Sequence, residues 1–340
     1  QYRPALRHYR AALRGFQKAD DPKGMLYSYI AIADTERMLG RYKDALLHYN
    51  HALELTKRLR MPSLRADTLT GIGLCLRGMG EWKEALRQFR QAKRYYLKHD
   101  DIEGLAFLLW AEAGAYRYGG EPLRAIELLE EALEINRELG DIESEAYCLN
   151  ALGGASRVAG LTEKSLRYYR KANSIFTTLK DPFGRAYSFC GIGNALRMKG
   201  QYQEAMKNFR KALTLYGRIG DIVSSAYTLW SMGQTYTMIG RPSMAEKYYK
   251  RAYQYFKKTS DHRGKVYYLI GMAQWAAQTS NMKAFNRYLK RALRIAETYE
   301  FKLEHCHILT MLGEADSKNN NCYSPLGVKL KFKGLPFNIP

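Results

Sequence analysis

The sequence predicts an all-α solenoid of helix-turn-helix repeats, followed by a C-terminal tail that does not repeat. The first observation is a period of 40 residues, marked by a glycine column at Gly40, Gly80, Gly120, Gly160, Gly200 and Gly240. The second is an alanine column in the same register, at Ala12, Ala52, Ala92, Ala132, Ala172, Ala212, Ala252 and Ala292. The third is the spacing of large apolar residues by three and four, as in Phe189, Ile192 and Leu196, which predicts buried helical faces. A fixed period of this length is typical of repeat arrays.

Each unit is expected to contain two helices, A and B. The glycine of the period boundary suits the left-handed residue that ends helix A. Helix B runs through the alanine column, whose small side chains let neighbouring helices approach closely. Aspartates before helix A are predicted to be N-caps because their carboxylates accept from free amides of the first turn. These aspartates are Asp21, Asp101, Asp141, Asp181, Asp221 and Asp261.

The repeat boundaries divide the chain into four parts. Residues 1–20 form a lone B helix, residues 21–300 form seven units, residues 301–317 form a terminal capping helix, and residues 318–340 form an extended basic tail. In the tail Val328, Leu330 and Phe332 alternate with lysines, which is a weak strand signal. The tail is therefore consistent with a basic arm, an added strand or a peptide lying along the solenoid.

Composition restricts the class of protein. The chain has 340 residues, 46% of them hydrophobic, and a formal net charge of +21, which favours acidic partners, nucleic acid or an anionic surface. Its five cysteines are widely spaced, so we expect a reducing compartment and a cytoplasmic protein. No apolar stretch is long enough for a transmembrane helix, and no leader peptide is evident.

The search for catalytic motifs predicts a protein that is not an enzyme. The sequence has no phosphate-binding glycine loop, no zinc-protease motif and no nucleophile elbow. His305, Cys306 and His307 are adjacent on one helix and point in different directions, which argues against a metal site. No cofactor and no metal are expected.

The repeat columns resemble the tetratricopeptide repeat. Gly193, Ala205, Phe209 and Ala212 reproduce its spacing, and the aspartate that opens each unit is similar to that of a longer variety of the repeat. That variety occurs in Pins-type polarity scaffolds, MalT-type activators and bacterial peptide-sensing regulators. The resemblance covers residues 1–317. It implies a right-handed α-solenoid whose A helices line a concave groove that binds a partner.

Groove residues are then the helix A columns that avoid packing positions. Arginine pairs bidentately with carboxylates, and Tyr and Trp offer rigid contact area, so we expect a non-catalytic scaffold that binds an acidic or extended peptide segment of a protein partner. Asn150 and Asn194 are predicted to hold the ligand backbone. The other predicted contacts are Arg37, Arg77, Arg117, Arg157, Arg197, Tyr147, Tyr187, Tyr227, Trp110 and Trp230.

Two alternatives remain open. The B helices carry a second basic surface that could follow a phosphate backbone, which would make the chain a nucleic-acid-associated or regulatory sensor module. In the other alternative, residues 328–340 occupy the groove and inhibit it. The basic positions of the B helices are Arg167, Arg170, Lys171, Lys207, Arg210, Lys211, Lys247, Lys250, Arg251, Arg287, Lys290 and Arg291.

Overall fold

The computed structural model describes residues 2–313 and 322–329, and over these residues it confirms the all-α solenoid. Within them no helix is long and apolar enough to cross a membrane. Sixteen successive helices are described, followed by a short 3₁₀ turn at Ser324–Leu326. The helices are α1 (Tyr2–Lys18), α2 (Pro22–Met38), α3 (Tyr42–Arg58), α4 (Pro62–Met79), α5 (Trp82–Lys98), α6 (Ile102–Tyr118), α7 (Pro122–Glu138), α8 (Ile142–Val158), α9 (Thr162–Thr178), α10 (Pro182–Met198), α11 (Tyr202–Ile219), α12 (Ile222–Met238), α13 (Pro242–Lys258), α14 (His262–Gln278), α15 (Met282–Thr298) and α16 (Lys302–Leu312).

Local signals in the sequence fix the helix ends. The Asp141 side chain accepts from the Ser144 amide at 2.9 Å, and the other five opening aspartates accept from first-turn amides in the same way. Each glycine of the 40-residue column has a positive φ, between 71° at Gly40 and 94° at Gly80. This left-handed conformation favours glycine because a Cβ would meet the backbone.

The B helices end on the same backbone conformation, which the sequence analysis did not predict. Asp20, Arg60, Asp100, Lys180 and Ser260 all have φ near 50°, although none of them is glycine. Residues other than glycine are uncommon at positive φ, although Asp adopts this conformation more readily than most. The turn between repeats therefore keeps the same backbone conformation while its residue type varies. No single residue type marks this turn in the sequence.

The core follows the small and large columns. Every alanine of the column from Ala52 to Ala292 is fully buried. A Cβ at Gly193 would lie 2.6 Å from Phe209 Cε1, which is too close for an unshifted contact. The aromatic ring of helix B thus fills the space that the small residue of helix A leaves open.

The array coils so far that its later part rests on its earlier part. The Trp82 indole N–H donates to the Tyr299 carbonyl oxygen at 3.1 Å, and the Lys302 ammonium lies 2.6 Å from the Glu121 carboxylate. Phe301 packs against the turn at Gly80. We call this contact the turn seam: it comprises the turns at Gly40, Gly80, Gly120 and Gly160 with the residues that cover them, which are Val223, Thr259, His262, Phe301, Lys302, Leu303 and Lys329.

The segment 322–329 completes the turn seam. Its last described amide, Lys329 N, donates to the Ala159 carbonyl oxygen at 3.0 Å, and Val328 packs with Val158. A disulfide joins Cys322 to Cys306, a pairing that the wide cysteine spacing did not predict and a departure from the thiols that a reducing compartment implies. The remaining cysteines are buried thiols: Cys75, Cys148 and Cys190.

Candidate functional site

The coil encloses a central cavity of about 950 Å³. Most of its lining comes from the A helices α2, α4, α6, α8, α10 and α12, as the repeat resemblance implies for a groove. This volume is at the upper end of the range of about 300–1,000 Å³ that small-ligand sites occupy. The cavity is large enough for a short stretch of peptide.

The first three arginines of the column lie on the cavity wall and are half-buried. Arg37 pairs with Asp34 at 3.1 Å on its own helix. Arg77 donates to the Ala111 carbonyl oxygen at 3.1 Å and stacks over Trp110, 5.3 Å from the ring centroid. Among the described residues no carboxylate lies within 4.0 Å of Arg77 or Arg117. Burial lowers the pKa of Arg77, so an anion beside it would stabilise its charge.

The far end of the column requires a correction. Arg157 lines the cavity but is only 2% exposed, and Arg197 is fully buried and does not reach the lining. The Arg197 guanidinium donates to Asn194 Oδ1 at 3.3 Å. Burial and the nearby Arg157 charge lower the pKa of Arg197 to about 9. Arg197 is therefore a core residue and not the ligand contact that the column predicted.

Trp230 is corrected for the same reason. Its ring is 1% exposed, packs 5.1 Å from the Tyr267 ring and donates its indole N–H to the Tyr267 carbonyl oxygen at 2.8 Å. Helix α14 therefore covers Trp230. Trp110, the equivalent residue of the third repeat, remains partly exposed to the cavity. The sequence shows the same residue type in both places and no difference in motif.

The tyrosine column lies on the wall, but part of its hydrogen bonding is internal. Tyr147 donates to Asp181 Oδ2 at 2.7 Å, and Tyr227 donates to Asp261 Oδ2 at 2.5 Å. Each tyrosine thus bonds to the N-cap of the following repeat. Burial and this carboxylate raise the pKa of the Tyr147 hydroxyl. The hydroxyls hold adjacent repeats together, while the rings of Tyr147, Tyr187 and Tyr227 remain in the cavity lining.

Asn150 is the most informative residue in the cavity. Its side chain is 1% exposed, and neither the amide nitrogen nor the amide oxygen has a hydrogen-bond partner. Leaving a buried polar group unpaired costs on the order of 1–3 kcal/mol. Asn194 also lines the cavity and accepts from Arg197. Asn150 therefore offers the N–H donors of its amide nitrogen and the acceptor oxygen of its carbonyl to a ligand in the cavity.

The repeat columns of the sequence did not reveal the acidic part of the wall. Glu103, Asp141, Asp181 and Asp221 line the cavity together with the arginines. From the sequence, Asp141, Asp181 and Asp221 were identified only as N-caps. They are distant along the chain from most of the arginines, so the sequence does not show that both line one cavity. Within the described residues none of these four carboxylates has a cation within 4.0 Å. Burial raises the pKa of Asp221.

The outer face and the tail occupy other places. The basic B-helix side chains from Arg167 to Arg291 are exposed on the outside of α9, α11, α13 and α15. Val328 and Lys329 lie against the end of α8 and outside the cavity lining, which contradicts the autoinhibition alternative for these two residues. The rest of that proposed segment, residues 330–340, is outside the described residues.

Comparison with known protein families gives one decisive match. The model of the tetratricopeptide repeat matches residues 1–58, 29–98, 62–138 and 183–258, together more than half of the chain. The chain belongs to the tetratricopeptide repeat family. Comparison with curated proteins gives no sequence match.

Solved structures of tetratricopeptide repeat proteins share the fold of the chain. A Rap protein complexed with Competence and Sporulation Factor aligns with a TM-score of 0.66 and 14% identity, over 96% of this chain and 95% of that one. NprR in complex with its cognate peptide NprX aligns with a TM-score of 0.61 and 16% identity, over 86% and 87%. The Rap conjugation gene regulator of plasmid pLS20, in complex with a Phr peptide, gives 0.69 and 17%, over 84% and 77%. Such low identities establish the fold alone.

Proposed function

We propose that the chain is a non-catalytic interaction module that binds a peptide segment of a partner in the central cavity. The observation that carries the proposal is Asn150, a buried amide on the cavity wall with both polar atoms unpartnered. A peptide group presents an N–H and a C=O, which a single asparagine side chain can satisfy together. Two of the solved structures with this fold hold peptides, which is consistent with the proposal.

The arginines would supply the charge preference. Arg77 and Arg117 face the cavity with no described carboxylate within 4.0 Å, so acidic groups of the ligand are their natural partners. Phe107 and Trp110, whose ring centroids are 5.7 Å apart, offer an apolar surface beside them. The buried thiol of Cys190, whose pKa burial raises, is a poor nucleophile and supports a binding role.

Affinity selection tests the proposal. A random library of heptapeptides with free termini is passed over the immobilised protein, and bound peptides are identified by mass spectrometry. We expect defined sequences to be enriched by the wild type, and enrichment to fall at least about tenfold for Asn150→Ala and Arg117→Gln, since a charge-assisted hydrogen bond contributes about 1.5–3 kcal/mol. Arg210→Gln, on the outer face of α11, is the matched control and should behave as the wild type.

A second candidate function rests on the exposed basic strip of α9, α11, α13 and α15. Four consecutive B helices carry it, and such a surface could bind nucleic acid with a strong salt dependence. Binding of double-stranded DNA or RNA that is lost in Arg210→Gln/Lys211→Gln and kept in Arg117→Gln would favour this function.

A heptapeptide selection in which the wild type enriches no peptide would overturn the first proposal, that of peptide binding in the central cavity.

A further inference from the structure

We infer that the peptide ligand of the central cavity is dipolar, with a cationic group toward the acidic wall and an acidic group toward the arginines. The inference rests on the proposed peptide function and changes the partner that the sequence alone suggested. With a formal net charge of +21, the chain as a whole predicts an acidic partner. The cavity does not share that excess.

The charges that line the cavity nearly balance. Arginines at five positions face carboxylates at four, and two of those arginines are already paired, Arg263 with Glu304 at 2.7 Å and Arg37 with Asp34 at 3.1 Å. Arg77 and Arg117 are the lining arginines with no described carboxylate within 4.0 Å, and the lining carboxylates are Glu103, Asp141, Asp181 and Asp221. A ligand with negative charge alone would face as much repulsion as attraction.

The two signs occupy different ends of the A helices. Each aspartate precedes the first turn of its helix, and each arginine lies in the last turn, so on α8 Asp141 and Arg157 are separated by roughly 24 Å at 1.5 Å per residue. Asn150 lies between them. The wall therefore runs from an acidic edge, past a hydrogen-bonding amide, to a basic edge.

The coil also brings the two edges toward each other across the cavity. The turn at Gly40, three residues after Arg37, lies against Val223, two residues after the N-cap Asp221. The turn at Gly80, three residues after Arg77, likewise lies against His262, which directly follows the N-cap Asp261. The basic edge of the early repeats and the acidic edge of the later ones thus line the same cavity.

The carboxylates are available to a ligand cation. Asp141 is exposed and uses one oxygen for its cap, with no described cation within 4.0 Å. Glu103 is also exposed on the lining. Together with the unpartnered amide of Asn150, which lies further along α8 on the same wall, these groups call for a ligand with its own donors and positive charge.

The heptapeptide selection, read by the charge of the enriched sequences, tests the inference. We expect wild-type protein to enrich peptides that carry both a basic and an acidic residue. Asp141→Asn, which keeps a capping side chain, should reduce the enrichment of basic residues about fivefold and leave acidic enrichment intact, since an exposed ion pair contributes up to about 1 kcal/mol. Arg117→Gln should do the reverse.

Asp101→Asn is the matched control, because Asp101 caps α6 in the same way, with 2.8 Å to the Gly104 amide, but does not line the cavity. It should leave both enrichments unchanged. Enrichment of purely acidic peptides, insensitive to Asp141→Asn, would overturn the dipolar inference and leave peptide binding standing. An equal loss in Asp101→Asn and Asp141→Asn would also overturn it, by assigning the effect to the helix cap. If no peptide is enriched, the proposed function itself fails.

Discussion

The helix A turns of the first four repeats and those of the next two have the same sequence signal and different surroundings. Gly80 and Gly200 both have positive φ, 94° and 77°, and both end an A helix. A Cβ at Gly80 would lie 2.7 Å from Phe301, whereas one at Gly200 would meet nothing within 4 Å. Glycine thus meets two separate requirements. Every one of these turns needs a residue with positive φ, but only the first four turns also need a residue without a side chain, because later parts of the coil pack against them.

Replacing one glycine from each group should show the largest difference. Gly120→Ala and Gly240→Ala both incur a left-handed alanine, at a cost of about 1–2 kcal/mol. At Gly120 the new Cβ would also lie 2.9 Å from the backbone nitrogen of Leu303, and overpacking adds about 1–3 kcal/mol. The free energy of unfolding in urea should therefore fall further for Gly120→Ala. Equal losses in the two variants would show that the turn seam contributes nothing.

Opening the Cys306–Cys322 disulfide should weaken the turn seam from its other side. The bond closes a loop of 16 residues, for which chain entropy predicts about 3 kcal/mol of stabilisation. Unfolding is compared with and without dithiothreitol, with the Cys306→Ala/Cys322→Ala variant as control. We expect hydrogen exchange at the Lys329 amide to accelerate on reduction while α12 keeps its protection. A reductant effect of the same size in the double variant would contradict this assignment.

Acid should loosen the same region by a smaller amount. Burial and the Arg263 charge lower the pKa of His307 to about 3, and its ring nitrogen lies 2.7 Å from the Tyr323 hydroxyl. An unfolded histidine has a pKa of about 6.5, so the unfolded chain binds the proton first. The stability this group contributes is complete above pH 6.5 and is lost as the pH falls toward 3, by about 2 kcal/mol at pH 5.

His307→Gln provides the comparison for the pH effect. The variant cannot titrate at this position, so its unfolding free energy should change less between pH 7 and pH 5 than that of the wild type. Groups elsewhere in the chain, including the buried Asp261 with its raised pKa, cancel in the difference between the two proteins. Parallel pH curves for wild type and variant would contradict the assignment to His307.

Most of the fold could be predicted from the sequence because it depends on local signals. The aspartate caps, the glycine turns and the Gly193 and Phe209 packing pair are all encoded within one repeat. The turn seam could not be predicted, since it depends on small rotations between repeats that accumulate along the array. No sequence motif links Phe301 to Gly80, so their contact cannot be predicted from the sequence.

The same distinction holds for the candidate site. Arg77, Arg117 and Asn150 belong to columns that avoid the packing face in each repeat, and all three line the cavity; their contact with a partner stays a prediction. It did not reveal that α14 covers Trp230. The acidic wall was not predicted because its aspartates were already explained as N-caps. That role gave no reason to consider them as cavity residues as well.

The turn seam also bears on how the array can evolve. In an open array each repeat contacts only its neighbours, so copies can be gained or lost one at a time. Here Phe301 must meet Gly80 and Leu303 must meet Gly120. Deleting one 40-residue unit between them would shift every such pairing by one repeat and place unrelated side chains on the turns. The turn seam therefore constrains the number of repeats between the paired turns, and the gain or loss of a unit there should destabilise the whole coil.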